Sequence, residues 1–172
     1  MGYGLMLVGA QRARLEGADA VPGAESLRLV LGRVLEAARA AGAPIVHVKN
    51  DGTRGETDAP GTGGWELVFA PEPGEPVVRK SAPNTFESNP ALADVLRAMA
   101  VDTVVVVGVP SEGSVRATAL GALERGFDVI VPTGAHAAAP AVGSPSEVVR
   151  RVERELSAEG VEVIELDEVR FD

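Results

Sequence analysis

A lysine and a serine, Lys80 and Ser114, are the side chains best suited to covalent chemistry in this 172-residue sequence. A neutral lysine can take the proton of a serine hydroxyl, so the two residues could form a Ser-Lys dyad that attacks an amide or an ester. Ser114 could instead bond to the exposed backbone of its own helix, with Ser111 as the better-placed cap. Lys80 could equally be a structural lysine whose ammonium group is paired inside the fold.

Other ionisable side chains give weaker indications. Glu112 could supply a carboxylate beside Ser114, although a glutamate in a first helical turn more often interacts with the helix dipole. The two histidines, His47 and His136, are not arranged as a metal-ligand pair, and Lys49 would repel a cation near His47. We therefore expect no metal site and interpret His47 as a core residue. The absence of cysteine excludes a thiolate nucleophile, a disulfide and a Cys-based metal site.

Composition and charge limit the possible partners. The formal net charge of −9 disfavours nucleic acid and anionic membrane surfaces. No run approaches the length of about 18–20 apolar residues that a membrane span needs. The first residues lead directly into a strand pattern without a basic region or a cleavage site, which predicts a cytoplasmic protein. Arginine in excess of lysine, together with many alanines, glycines and valines, suggests a GC-rich bacterial source.

Short apolar runs alternate with helical patterns along the whole chain. Strands are predicted at residues 3–8, 44–49, 75–80, 103–108, 127–132 and 161–166. Helices are predicted at about residues 27–41, 89–99, 111–126 and 144–157. The near-continuous valine run at 103–107 is typical of a strand covered on both faces. The pattern predicts one domain over residues 1–172, an α/β/α three-layer sandwich with a six-stranded, mostly parallel, doubly wound sheet.

The segment at residues 51–74 is rich in Gly, Pro, Thr and Glu and shows no clear period. A loop of that length in a compact domain is more often a functional flap than a linker. Trp65 within it, and Phe86 after it, are expected to line a pocket or an interface, because large aromatic residues are scarce. The glycines at 61–64 lack the setting of a phosphate loop, so no cofactor is expected.

Three segments resemble the isochorismatase-like (cysteine hydrolase) family, which includes nicotinamidases and N-carbamoylsarcosine amidases. The segments are the opening strand with Gly9-Ala10-Gln11, the strand that ends at Lys80 with the stretch to Phe86, and residues 108–119 with 126–129. The family typically shows Asp-x-Gln at the first, a lysine at the end of the second and Gly-x-x-Thr-x-x-Cys-Val-x-x-Thr-Ala in the third. The resemblance covers nearly the whole chain and implies the α/β fold of that family, with a homodimer or a homotetramer.

The resemblance also implies a catalytic set in which this sequence keeps one member of three. Lys80 stands at the lysine position, Gly9 at that of the proton-carrying aspartate, and Ser114 at that of the nucleophilic cysteine. The family's cis peptide would fall at Val109-Pro110, where proline has no N–H to donate to an oxyanion.

Three functional hypotheses remain open. The chain could be a degenerate homologue that binds a small molecule or a protein partner in the family pocket. It could be a repurposed biosynthetic enzyme that uses Lys80, Ser114 or Glu112, or a weak hydrolase with a Ser114-Lys80 dyad. The site should lie at the carboxyl ends of the strands, where Gly9, Lys80 and residues 109–114 converge by the switch-point rule. With the resemblance and the aromatic residues added, we expect the pocket residues to be Gly9, Gln11, Trp65, Phe86, Val109, Pro110 and Glu112, beside Lys80 and Ser114.

Overall fold

The computed structural model describes residues 2–140 and 143–172, and its centre is a six-stranded sheet. The strands are β1 (Tyr3–Val8), β2 (Ile45–Asn50), β3 (Val77–Lys80), β4 (Thr103–Gly108), β5 (Asp128–Pro132) and β6 (Glu162–Ile164). Their order in the sheet is β3-β2-β1-β4-β5-β6, and every neighbouring pair is parallel. The chain leaves β1 towards β2 on one side and later returns to β4 on the other. The edge beyond the carboxyl ends of β1 and β4 is therefore the topological switch point, where α/β sheets commonly bind ligands.

Within residues 2–140 and 143–172, helices cover the two faces of this sheet. They are α1 (Arg12–Leu15), α2 (Ala24–Ala40), α3 (Thr85–Ser88), α4 (Leu92–Ala98), α5 (Arg116–Glu124) and α6 (Pro145–Glu159). The apolar residues of α2 recur at helical spacing and are buried, which fixes the face that it turns to the sheet. The α6 helix begins where the Ser144 hydroxyl accepts a hydrogen bond from the Glu147 amide, with Pro145 in the first turn.

In the described part of the chain, the buried apolar side chains form a hydrophobic cluster on each face of the sheet. Met6, Val104 and Val106 point towards the cluster that includes α4, α5 and α6. Leu7 and Val105 point towards the cluster that includes α2. Since side chains alternate along a strand, the buried valine run of β4 supplies both clusters. The predicted three-layer α/β sandwich is confirmed, and the sheet is wholly parallel rather than mostly so.

The structure corrects several predicted boundaries. The helix predicted from residue 89 begins at Leu92, and α3 precedes it as a separate turn because the Asn84 side chain accepts a hydrogen bond from the Phe86 amide. The helix predicted from residue 111 starts with a wider π-turn, Ser111–Val115, before α5. The loop at 51–74 contains one 3₁₀ turn, Gly63–Trp65, and a further 3₁₀ turn, Leu166–Glu168, follows β6. Within the described residues, no helix is both long and apolar enough to cross a membrane.

Candidate functional site

A cavity of about 260 Å³ opens at the switch point of the sheet. Six of the residues singled out in the sequence line it, namely Gly9, Gln11, Lys80, Val109, Pro110 and Ser114. They come from the ends of β1 and β3 and from the turn that follows β4. The cavity is also lined by Arg14, Asn50, Ser81, Ala82, Pro83 and Gly113.

Lys80 and Ser114 are in direct contact in this cavity. Lys80 is the last residue of β3 and only 2 % exposed, and its Nζ donates to Ser114 Oγ at 2.7 Å and to Asn50 Oδ1 at 3.0 Å. Burial lowers the pKa of Lys80 to about 8; the Asp58 carboxylate opposes this change, and the Arg14 guanidinium adds to it. An ammonium group with a lowered pKa next to a hydroxyl is the arrangement that a Ser-Lys dyad needs.

The π-turn between β4 and α5 presents Ser114 to the cavity. Its backbone is anchored at Pro110, whose carbonyl accepts hydrogen bonds from the Gly113 amide at 3.3 Å and the Val115 amide at 3.1 Å. The Val109-Pro110 peptide bond that precedes the turn is cis, as the family resemblance implied. Proline at this position removes a backbone donor from the cavity wall.

The backbone at Gly9 closes the place where the family resemblance puts an acid. Gly9 has a φ of 68°, in the left-handed region, and a Cβ at this position would lie 2.5 Å from the Val109 carbonyl oxygen. Residues other than glycine rarely adopt this conformation, and no real Cβ sits that close to an oxygen. A side chain at position 9 therefore needs a movement of the adjoining backbone.

Gln11 lines the cavity and acts as a clamp, because its side-chain amide is hydrogen-bonded to backbone groups of two other segments. Its Nε2 donates to the carbonyl oxygens of Asn50 at 2.9 Å and Trp65 at 3.1 Å, and its Oε1 accepts from the Asn50 amide at 2.8 Å. The side chain joins the ends of β1 and β2 to the 51–74 loop. Its role in this geometry is to hold the walls of the cavity in place.

The sequence analysis did not single out Arg14, Asn50 and Asp58, which are polar residues at or next to the cavity. Asp58 is 1 % exposed, and its Oδ2 accepts from Asn50 Nδ2 at 2.8 Å and from Arg14 Nη2 at 3.5 Å. A continuous chain of polar contacts thus runs from Arg14 through Asp58 and Asn50 to Lys80. Asn50 could have been found because it ends β2 at the same edge of the sheet as Lys80. Asp58 comes from an aperiodic loop and carries no comparable signal.

The structure does not bring Trp65, Phe86 or Glu112 to the cavity, which corrects that part of the prediction. Trp65 packs under Lys49, whose Nζ lies 3.3 Å from the ring centroid, because a cation is attracted to an aromatic face. Phe86 is 1 % exposed and stacks against Phe127 in the core. The Glu112 carboxylate accepts a hydrogen bond from the Ala139 amide at 3.0 Å and so ties the π-turn to the segment after β5.

The two histidines lie in separate hydrogen-bonded clusters. His47 Nε2 is 2.7 Å from Glu75 Oε2, and the Arg39 guanidinium, hydrogen-bonded to the same carboxylate, is the main cause that lowers the pKa of Glu75 to about 2. His136 Nδ1 is 2.8 Å from Ser111 Oγ, and its Nε2 is 3.1 Å from Glu153 Oε1. Among the residues that the structure describes, His, Asp and Glu form no group of three able to hold a metal ion.

Comparison with known proteins identifies a matching family and several similar proteins. A family model described as Isochorismatase domain matches residues 4–168. A streptothricin hydrolase of Streptomyces noursei is 46 % identical over 135 residues, which cover 77 % of this chain and 53 % of that protein. A secreted isochorismatase effector of Verticillium dahliae is 35 % identical over 133 residues, covering 74 % of this chain and 68 % of the effector. The crystal structure of a cysteine hydrolase from Pseudomonas syringae is similar with a TM-score of 0.85 and 26 % identity, covering 96 % of this chain and 89 % of that one. The chain spans about half the length of the streptothricin hydrolases that it matches.

Proposed function

Since the chain belongs to the isochorismatase family, we propose that it keeps the family's cavity as a binding site for a small polar molecule but does not perform cysteine-dependent hydrolysis there. By the family resemblance, Gly9 and Ser114 occupy the positions of the reacting aspartate and cysteine. A serine hydroxyl is a much weaker nucleophile than a thiolate unless a base activates it. The cavity would therefore still bind a ligand but would no longer catalyse cysteine-dependent hydrolysis.

The backbone at Gly9 is the observation that carries the proposal. With a φ of 68° and a Cβ position 2.5 Å from the Val109 carbonyl oxygen, an aspartate fits at position 9 only if the adjoining backbone moves. The space that a proton-carrying side chain would need is filled by backbone from the β4 end. Pro110 adds a second loss, because a position without an N–H cannot stabilise an oxyanion.

The open cavity supports binding rather than a collapsed, purely structural remnant. A volume of about 260 Å³ lies close to the lower end of the roughly 300–1,000 Å³ that ligand pockets have. That is enough for a compact ligand, and polar side chains converge on the cavity from several strands. A fragment screen followed by NMR should shift the resonances of Lys80 and Ser114; shifts confined to other surfaces would contradict a binding role for the cavity.

Introducing a cysteine at position 114 tests whether cysteine-dependent hydrolysis has been lost. The wild type and the Ser114→Cys variant are assayed for hydrolysis of streptothricin, the compound in the name of the Streptomyces noursei relative. We expect no turnover from either protein, because a thiol at position 114 still has no acid beside it. Ser111→Cys is the matched control, since it places a thiol in the same turn but outside the cavity lining. Turnover by the wild type, or by Ser114→Cys above this control, would overturn the proposal.

A second candidate function is slow acyl transfer by Ser114 with Lys80 as its base. The 2.7 Å contact between Nζ and Oγ favours it, together with the pKa of about 8 at Lys80. With that pKa, about a tenth of the lysine is neutral at pH 7. The neutral amine would take the hydroxyl proton as Oγ attacks a carbonyl carbon, and would return the proton to the leaving group when the tetrahedral adduct collapses to an acyl-serine. Water would then release the acid by the same route.

Reaction with a serine-directed fluorophosphonate tests this candidate. Mass spectrometry of the digested protein should find the adduct on Ser114, at a rate that rises with pH and levels off above about pH 8. Ser114→Ala should remove the adduct. A rate that is independent of pH, or an adduct elsewhere at the same rate, would contradict the dyad.

A further inference from the structure

We propose that the ligand of this cavity is a small anion, a carboxylate held between Arg14 and Lys80. The inference rests on the proposed binding function and narrows it to one chemical class. Both side chains line the cavity, and Lys80 reaches it from the carboxyl end of β3. Arg14 is three residues after the clamp Gln11, on the first helix after β1.

The charges that line the cavity all have one sign. Arg14 and Lys80 are its two charged lining residues, and no carboxylate is among the described residues that form its wall. The nearest acid in the polar chain, Asp58, is 1 % exposed and lies behind Asn50 and Arg14. An entering ligand therefore meets two cations, while the compensating negative charge is kept away from it.

Lys80, Ser114 and Arg14 also have hydrogen-bond donors that are free to bind a ligand. An ammonium group has three N–H donors, and Lys80 uses two of them, on Asn50 and Ser114. Ser114 Oγ accepts from Lys80, so its own hydrogen is available to the cavity. In the described part of the chain, the Arg14 guanidinium makes one side-chain hydrogen bond, from Nη2 to Asp58 at 3.5 Å, which leaves Nε and Nη1 to donate elsewhere. Donors from three side chains therefore converge on the cavity, and such a set suits a carboxylate.

A purely structural ion pair between Arg14 and Asp58 explains less of this geometry. Their 3.5 Å contact is long and involves a single nitrogen, whereas Asp58 already accepts a shorter bond of 2.8 Å from Asn50. The Arg14 side chain is also 33 % exposed, and it lines the cavity. Since the whole protein has a formal charge of −9, its general field repels anions. A preference for an anion must therefore come from these local cations.

The test compares two shape-matched pairs of probes by isothermal titration calorimetry on the wild-type protein at pH 7. Benzoate and benzamide form one pair, and acetate and acetamide form a smaller pair in case the aromatic ring is too wide. We expect each carboxylate to bind at least about tenfold more tightly than its amide, because charge-assisted hydrogen bonds are the stronger ones. Equal affinities within both pairs would overturn the anion inference while leaving the binding function intact. No binding by any of the four probes would overturn both.

Variants identify the residue responsible. Arg14→Gln should reduce the preference for the carboxylate to less than about threefold, and Arg14→Lys should retain most of it because a point charge remains. Arg12→Gln is the matched control, since Arg12 is exposed on the same turn and does not line the cavity. An undiminished preference in Arg14→Gln would overturn the inference. If Arg14→Gln does not fold, Asp58→Asn supplies a second measurement: loss of the opposing charge should strengthen benzoate binding, and an unchanged or weaker affinity would contradict the proposal.

Discussion

Two serines three positions apart in one turn, Ser111 and Ser114, have partners of very different character. Ser111 belongs to a serine–histidine–glutamate cluster with His136 and Glu153, the residue types of a hydrolytic triad. It is nevertheless fully buried, at 0 % exposure, and does not line the cavity. The Ser114 hydroxyl accepts a hydrogen bond from Lys80, which also donates to Asn50, and Ser114 lines the cavity. The two serines therefore differ more in whether they reach the cavity than in the residue types that surround them.

The orientation of His136 leads to the same conclusion. In hydrolytic triads the serine usually contacts Nε2 and the acid contacts Nδ1. Here Nδ1 faces Ser111 and Nε2 faces Glu153, and the Ser111 amide donates to the Ala137 carbonyl at 2.8 Å. The cluster joins the turn before α5 to the segment after β5 and to α6. It stabilises the wall behind the cavity, whereas the Ser114-Lys80 pair is exposed to whatever enters.

The largest expected effect is on the reactivity of Ser114 when its base is removed. Lys80→Met should slow fluorophosphonate labelling by roughly 100-fold or more, because general-base assistance contributes about 10²–10⁴ to such steps. The chain's other lysine gives a matched control: Lys49→Met removes a cation that packs on Trp65 outside the cavity. Labelling is followed by intact mass at pH 8. Equal rates in Lys80→Met and Lys49→Met would show that Lys80 is not the base.

A smaller effect, on stability, should distinguish Ser111 from Ser114. Ser111→Ala leaves the buried His136 Nδ1 without its partner and should lower the free energy of unfolding by about 1–3 kcal/mol. Ser114→Ala should change it by less than about 1 kcal/mol, because Lys80 keeps its hydrogen bond to Asn50 and a water molecule in the cavity can replace the lost hydroxyl. Urea denaturation at pH 7 measures both. Ser114→Ala as the more destabilising change would reverse the roles assigned to the two serines.

The sequence was sufficient to predict most of the fold and the corner of the sheet at which the cavity lies. The valine run of β4 can only be buried on both sides, and the rule for parallel strands brings Gly9, Lys80 and Ser114 to one edge. It was insufficient for Asp58, because a loop without periodicity gives no indication of which side chain turns inward. Phe86 was misplaced for a related reason: an aromatic residue fits a core as well as a pocket.

A change of stability with pH is expected only at the Ser114 cluster, because that cluster contains the buried Lys80 ammonium. Burial lowers its pKa from 10.5 to about 8, so between these values the folded protein binds fewer protons than the unfolded chain. The free energy of unfolding should then rise with pH across that window, by up to about 1.4 kcal/mol per unit and about 3 kcal/mol in all. Urea denaturation of the wild type and of Lys80→Met at pH 7.5, 8.5 and 9.5 isolates this contribution, because the other titrating groups are common to both proteins. We expect the wild type to gain stability relative to the variant as pH increases. A constant difference would mean that the folded and unfolded states hold the Lys80 proton equally, and Ser114 would then have no neutral amine beside it near pH 8.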